Sequence, residues 1–296
     1  MPAVLVRWKG YRGQVYETTP EDLLGEALED PAFIYPYEIL KSMLETEERP
    51  DGVSMTTLLN VDRCLRCSIL EKYEDYVVDL EKLWKPWKGT AYHGIIERHT
   101  RKGGIAEVRF WAKLPGGGEV HGKPDLILPD SLIDLKTTDN PPRWDDPWAD
   151  HVEQVQGYRW LVNNAYQWEG NLGKFSPAAW KCEHLVIWYV DVVEARGIPI
   201  KPLEVRRTKE VATKKGASNP YKKVKEPDIW DDDKVLKFIR PRYDEVIEAF
   251  SEYERSGILP PYPKGFNYLT DWTHRFKPTA ELCVERHIEE LARRVA

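Results

Sequence analysis

The chain has 296 residues, of which 42 % are hydrophobic, 11 % aromatic and 31 % charged; this is a globular composition and excludes wholesale disorder. Lys plus Arg total 43 against 49 Asp plus Glu, a formal net charge of −6, which argues against a protein coated in basic charge and still leaves room for a local basic groove. No apolar run approaches the roughly 20 residues needed to cross a bilayer, and the first residues lack the profile of a signal peptide. A cytoplasmic protein with no membrane partner is therefore expected.

Residues 1–53 read as an N-terminal extension. Val4–Trp8 is a strand candidate, Thr19-Pro20-Glu21-Asp22 a helix start with Pro at the first helical position, and Tyr37–Glu47 a second short helix, before Pro50-Asp51-Gly52 breaks the chain. Residues 54–296 read as one domain, with a core at about 88–207 and a C-terminal helical region at 228–296. Apolar residues recur at helical spacing from Ser54 to about Leu83, Pro86 is expected to end that region, and Gly89 to about Arg101 reads as a further helix. Strands are expected at Glu107–Trp111, Val120–Leu128 and Leu132–Lys136, with a turn at Gly116-Gly117-Gly118. A Pro- and Asp-rich loop, 139–147, leads to a helix over Trp148–Gln167. The strand Leu185–Val192, a shorter one from Ile200 and a basic loop over 207–227 follow. A helix over Asp231–Tyr253, broken or kinked at Pro241, and an amphipathic helix over Ala280–Arg294 complete the chain. The order predicts an α/β domain with helical additions at both ends.

The segment with most chemistry is Gly122-Lys123-Pro124-Asp125, followed by Asp134-Leu135-Lys136. Asp125 and Asp134 fall on neighbouring strand candidates joined by a short turn, and Asp134 and Lys136, two apart, share one face of a strand. Two carboxylates held together repel unless a cation neutralises them. Hard oxygen ligands suit magnesium or manganese, and a lysine beside them offsets charge on a phosphate. The same residues also fit a solvated strand face and an Asp125 turn cap. Upstream, His93 and Glu97 share a helical face; Glu107 and His121 are further candidates. Downstream, Gln154 and Tyr158 are one helical turn apart, and Gly157 between them permits close approach to the helix.

In their order these residues resemble the PD-(D/E)XK nuclease superfamily, in its RecB-like, Cas4-like and phage exonuclease branch. The resemblance rests on a helix with a histidine shortly after a glycine (His93 after Gly89), Gly-x-x-Asp (Gly122 to Asp125), Asp-x-Lys (Asp134 and Lys136) and Gln-x-x-x-Tyr (Gln154 to Tyr158), over about residues 54–192. Met55-Thr56-Thr57-Leu58-Leu59, with Arg63 and Cys64 following, is similar to the first helix of that branch. The resemblance implies a restriction-endonuclease-like core, a central mixed sheet flanked by helices. It implies one or two Mg2+ or Mn2+ ions on His93, Asp125, Asp134 and the Leu135 carbonyl. Lys136 would activate water, and Gln154 and Tyr158 would contact substrate or support Lys136. The implied activity is a DNA exonuclease in phage or mobile-element recombination, repair or processing, acting on linear, end-bearing DNA, alone, as a homo-oligomer or with a recombination partner. A structure-specific or restriction-type endonuclease, and a non-catalytic DNA-binding protein on the same fold, are the alternatives.

Many relatives of that branch carry a four-cysteine iron–sulfur cluster, with three of the cysteines close together after the core. Here Cys64, Cys67, Cys182 and Cys283 lack that late trio, so no cluster is expected and the thiols read as free and partly buried. The basic stretch Arg207–Lys225 offers phosphate contacts or is a solvated loop. Trp144 and Trp148 offer stacking platforms or close the core.

Overall fold

The computed structural model describes residues 4–9, 14–29, 33, 35, 37–44, 50–62, 64–100, 103–138, 147–173, 175–191, 201–205, 229–263, 266, 277 and 279–295; Arg63, Trp144 and the basic stretch 207–227 lie outside them. It is a mixed α/β protein of two compact units. Unit 1 comprises Met1–Asp51, Asn60–Thr90 and Asp244–Ala296, and unit 2 comprises Gly52–Leu59 and Ala91–Tyr243. No described helix is long and apolar enough to cross a membrane.

Strands β1 (Val4–Lys9) and β2 (Val15–Thr18) form an antiparallel pair. Helix α1 (Pro20–Glu29) starts as its sequence dictates: Thr19 Oγ1 accepts the Asp22 N–H at 3.1 Å, and Pro20, with no N–H to satisfy, takes the first helical position. Helix α2 (Tyr37–Leu44) follows, and Leu23, Ala27, Leu40 and Met43 close over Val6 and Trp8 of β1. After β3 (Val53–Ser54) and α3 (Met55–Leu59) comes α4 (Leu65–Tyr73), and there the expected helical run is interrupted. Tyr76–Asp79 is a strand, β4, parallel to β1. Its Val77-Val78 pair has the β-branched stiffness that suits a strand, and Val78 is buried.

Helix α5 (Leu80–His99) is continuous through Pro86, where a break was expected. Helix α7 (Asp232–Ser256) likewise runs through Pro241, where a break or a kink was expected, without a break. A proline deletes a single rung of the helical ladder. In α7, Val235 and Ile239 before Pro241, in unit 2, and Val246 after it, in unit 1, are all fully buried, so the helix is anchored by burial on each side of the missing bond. Helix α8 (Ala280–Val295) ends the described chain.

Unit 2 holds two sheets. In the first, the order is β10 (Ala165–Glu169), β6 (Arg109–Lys113), β7 (Glu119–Gly122), β3; in the second it is β12 (Lys201–Val205), β11 (His184–Asp191), β9 (Ser131–Thr138), β8 (Leu126–Ile127), β5 (Ile105–Ala106). β9 runs parallel to β11 and antiparallel to β8, so the second sheet is mixed. The strand expected over Val120–Leu128 is thus two strands in different sheets. Pro124 explains the break: it has no N–H for a ladder. The chain leaves the first sheet at Gly122 and enters the second at Leu126, and Asp125 sits at the crossing. Glu107 marks the reverse crossing, between β5 and β6, and its N–H donates to the Asp125 carbonyl at 3.3 Å.

Helix α6 (Ala149–Asn163) stops four residues before the expected end, where the Asn164 N–H caps the Trp160 carbonyl at 3.0 Å. The chain then forms β10, paired with β6. Gly157 gives α6 its close neighbour: a Cβ there would lie 2.6 Å from Met55 Sδ. Gly122 does the same for the sheet, since a Cβ there would lie 2.7 Å from the Tyr158 ring.

Candidate metal and phosphate site

The site forms where the chain crosses between the two sheets of unit 2. His93, on α5, lies with Nδ1 3.0 Å from Glu107 Oε1 and 3.5 Å from Asp125 Oδ1. One ligand atom from each of these three residues falls within 4.8 Å of the others, a group able to hold a metal ion. Glu107 reaches this place through a backbone φ of 55°, the left-handed region, which a side-chain-bearing residue enters at a cost. Its second carboxylate oxygen takes an ion pair from Lys123 Nζ at 2.9 Å. Glu107 is therefore held between a histidine and a lysine, which the sequence pattern alone did not show.

The second half of the site comes from β9. The Leu135 N–H donates to Asp125 Oδ2 at 2.5 Å. In an extended strand the N–H and C=O of one residue face the same neighbour, so the Leu135 carbonyl is directed toward the Asp125 side as well. Asp134 and Lys136 flank it, with Lys136 Nζ 2.7 Å from Asp134 Oδ2. Asp134 is only 1 % exposed, and its Oδ1 has no hydrogen-bond partner among the described residues. A buried carboxylate oxygen without a donor is costly unless a cation meets it. With one imidazole, two crossing-point carboxylates and this orphaned oxygen, the donor set fits a hard divalent cation better than a soft one.

Electrostatics follows from this crowding. Burial, and next the Asp134 charge, push the Asp125 carboxyl up to about 7. Lys136 is raised above its ordinary value: burial opposes its charge, but Asp134 and Asp125 outweigh that cost. His93 is raised although burial works against it, because Glu107 and Asp125 favour the imidazolium. Glu107 is lowered against burial by His93 and Lys123. The site thus alternates acid and base, with the acids in excess at Asp125 and Asp134.

Gln154 and Tyr158 sit on one face of α6, with Gln154 Nε2 donating to the Tyr158 hydroxyl at 3.0 Å. Both are buried. The Tyr158 hydroxyl is pushed up to about 12 by burial and by Asp134, so it stays a neutral phenol beside Lys136. Two other candidates lie elsewhere. Glu97 is exposed on α5. His121, in β7, pairs in register with Trp111 and Ser54, and burial, followed by Arg109, lowers it to about 4, so it is a neutral core imidazole. Trp148, the residue before α6, packs its ring against His151 at 5.1 Å and Tyr189 at 5.8 Å.

No known protein family and no curated protein matches the chain. Among solved structures it is similar to one described as "Crystal structure of SSO0001", at 15 % identity over 76 % of this chain and 85 % of that one, with a TM-score of 0.41.

Proposed function

We propose that the chain is a metal-dependent deoxyribonuclease of the PD-(D/E)XK type, an exonuclease that hydrolyses linear DNA from its ends without strong sequence preference. The observation that carries the reading is one chain of contacts. Lys136 Nζ stands 2.7 Å from Asp134, the adjacent Leu135 N–H grips Asp125 at 2.5 Å, and Asp125 stands 3.5 Å from His93. The mixed sheet that carries β9 between β8 and β11 supports the restriction-endonuclease-like reading of the core.

His93, Glu107, Asp125, Asp134 and the Leu135 carbonyl are the groups that would hold Mg2+ or Mn2+. When bound, such an ion supplies an acidified water and a polarised phosphate oxygen. The remaining work belongs to the protein. Lys136, kept cationic by two aspartates, offsets the negative charge that builds on the phosphate in the transition state. The Tyr158 phenol, oriented by Gln154, offers a donor to a phosphate oxygen or to water beside Lys136. Burial of Asp134 and Asp125 keeps these dipoles fixed, so little reorganisation is needed at the moment of reaction.

End-labelled linear duplex and closed circular DNA, incubated with Mn2+, with Mg2+ and with EDTA, test the reading, with Asp134→Ala as control. Release of label that needs metal and Asp134, with the circle left closed, is the expected result. Opening of the circle by the wild type converts the assignment to an endonuclease. Metal-independent or Asp134-independent release, or no cleavage of either DNA, overturns it.

A further inference from the structure

Unit 1 brings together three cysteines that the nuclease reading does not use. Cys64 is the residue before α4, Cys67 lies in the first turn of α4, and Cys283 lies in the first turn of α8. Their sulfurs all fall within 4.8 Å of one another, and all three residues are buried. The Cys64 and Cys283 sulfurs are 3.7 Å apart across 219 residues of chain. The two helix starts are tied as well: the Thr279 hydroxyl donates to the Cys67 carbonyl at 3.2 Å, and the Cys283 N–H donates to the Thr279 carbonyl at 2.9 Å.

A four-cysteine iron–sulfur cluster needs four converging thiolates, and the residues do not fit it. Unit 1 supplies three among the described residues, Cys64, Cys67 and Cys283, and the thiol of the fourth cysteine, Cys182, donates to the His184 carbonyl at 3.3 Å. We infer instead that Cys64, Cys67 and Cys283 form a three-thiolate site for a single zinc ion. Sulfurs bound tetrahedrally at 2.3 Å from zinc stand about 3.8 Å apart, which the Cys64–Cys283 separation already matches. Cys64-x-x-Cys67 has the short chelate spacing of structural zinc sites. Soft thiolates select zinc over the harder cations suited to the carboxylate site.

The surroundings suit the charge. Two helix N-termini carry the sulfurs, and that end of a helix favours negative charge. Three thiolates on Zn2+ leave one net negative charge. The buried Arg66 guanidinium is paired with Glu290 at 3.0 Å and lies 4.7 Å from the ring centroid of Tyr262, whose hydroxyl is 3.0 Å from Cys283 Sγ, so the one net charge rests mainly on the helix N-termini. The fourth position takes an oxygen, from water or from the Tyr262 hydroxyl. The ion would staple α4 to α8 and so join sequence-distant parts of unit 1.

The test uses the full chain, purified under reducing conditions. Zinc is assayed in the protein as isolated, and the metal-free protein is titrated with Co2+ alone. A single tightly held zinc, and a thiolate-to-cobalt charge-transfer band that zinc abolishes, are expected. The band should be lost in Cys283→Ser and kept in Cys182→Ser. The wild-type titration decides the matter even if Cys283→Ser does not fold. Absence of the band in folded wild type, retention of a full-strength band in folded Cys283→Ser, or a brown protein that releases iron and sulfide overturns the inference. None of these results depends on nuclease activity.

Discussion

The Leu135 N–H donates to Asp125 Oδ2 at 2.5 Å, and this bond sets the spacing between the two halves of the site. It joins the crossing point after β7 to the middle of β9. Asp125 thereby lies between Leu135 and His93, and the residues on either side of Leu135 are the carboxylate and the lysine. A shift of β9 by one residue would turn Asp134 and Lys136 to the opposite face.

Lys136→Met is expected to lower cleavage by about 10²–10³-fold, the usual cost of removing one fixed transition-state donor. The loss should fall on kcat rather than on DNA affinity. Without the ammonium, Asp134 and Asp125 face each other with less compensation, so metal affinity should not fall and has reason to rise. Single-turnover cleavage and Mn2+ titration by calorimetry check both parts.

Asp125 sets a pH dependence whose sign is fixed by burial. Its carboxyl is raised to about 7 in the metal-free fold, whereas an unfolded chain releases that proton near 3.9. The folded state holds the extra proton between these values. The metal-free protein should therefore lose stability from this group as pH rises from about 4 to about 7, and hold level above that. A divalent cation must displace this proton and also the one that Glu107 and Asp125 favour on His93, so Mn2+ affinity should climb at least about tenfold per pH unit from pH 5 toward 7. Asp125→Asn should remove the Asp125 share of each slope and leave the share that comes from His93. Chemical denaturation with EDTA and Mn2+ titration, each from pH 5 to pH 8, measure the two trends.

Packing gives a further prediction. Gly157→Ala places a Cβ 2.6 Å from Met55 Sδ. The contacts are all with the buried Met55 side chain, which must leave its rotamer or push α3 from α6, at a cost of about 1–3 kcal/mol. The double variant Gly157→Ala/Met55→Ala should lose less than the sum of the single changes, because removing Met55 vacates the space the new methyl needs. Denaturant unfolding of the four proteins reads the coupling directly.

Much of this arrangement was legible in the sequence because short spacings act through fixed periods. Asp134 and Lys136 share a strand face by the period of two, and Gln154 and Tyr158 share a helix face by the period near four. What the sequence did not show depends on contacts between distant residues. Helical spacing over Tyr73–Leu80 conceals β4, which exists because β1 offers a parallel partner about seventy residues away. The expected helix runs on through Tyr166 to Gln167, yet β6 draws Ala165–Glu169 into β10. Pro241 is a local breaker offset by the burial of Val235, Ile239 and Val246 on either side of it, and Pro86 lies inside α5 as well. Glu107 was one of several nearby acids, and only the sheet crossing singles it out.

Glu107→Gln tests that last residue. Its carboxylate touches His93 at 3.0 Å and Lys123 at 2.9 Å, from a backbone φ of 55°. Glutamine keeps the shape and one oxygen, and removes the charge that favours imidazolium at His93. Whether Glu107 binds the cation itself or orients His93 toward it, Mn2+ affinity should fall about 10–100-fold, the usual result of losing a ligand's supporting partner. The two roles separate in a second measurement. If Glu107 only orients the imidazole, the His93 titration followed by NMR in metal-free protein should move down in Glu107→Gln. Then His93→Ala/Glu107→Gln should bind Mn2+ no more weakly than His93→Ala alone. If Glu107 is itself a ligand, the double variant should lose affinity beyond either single change. An unchanged Mn2+ affinity in folded Glu107→Gln would remove Glu107 from the site and leave its strained backbone a feature of the sheet crossing alone.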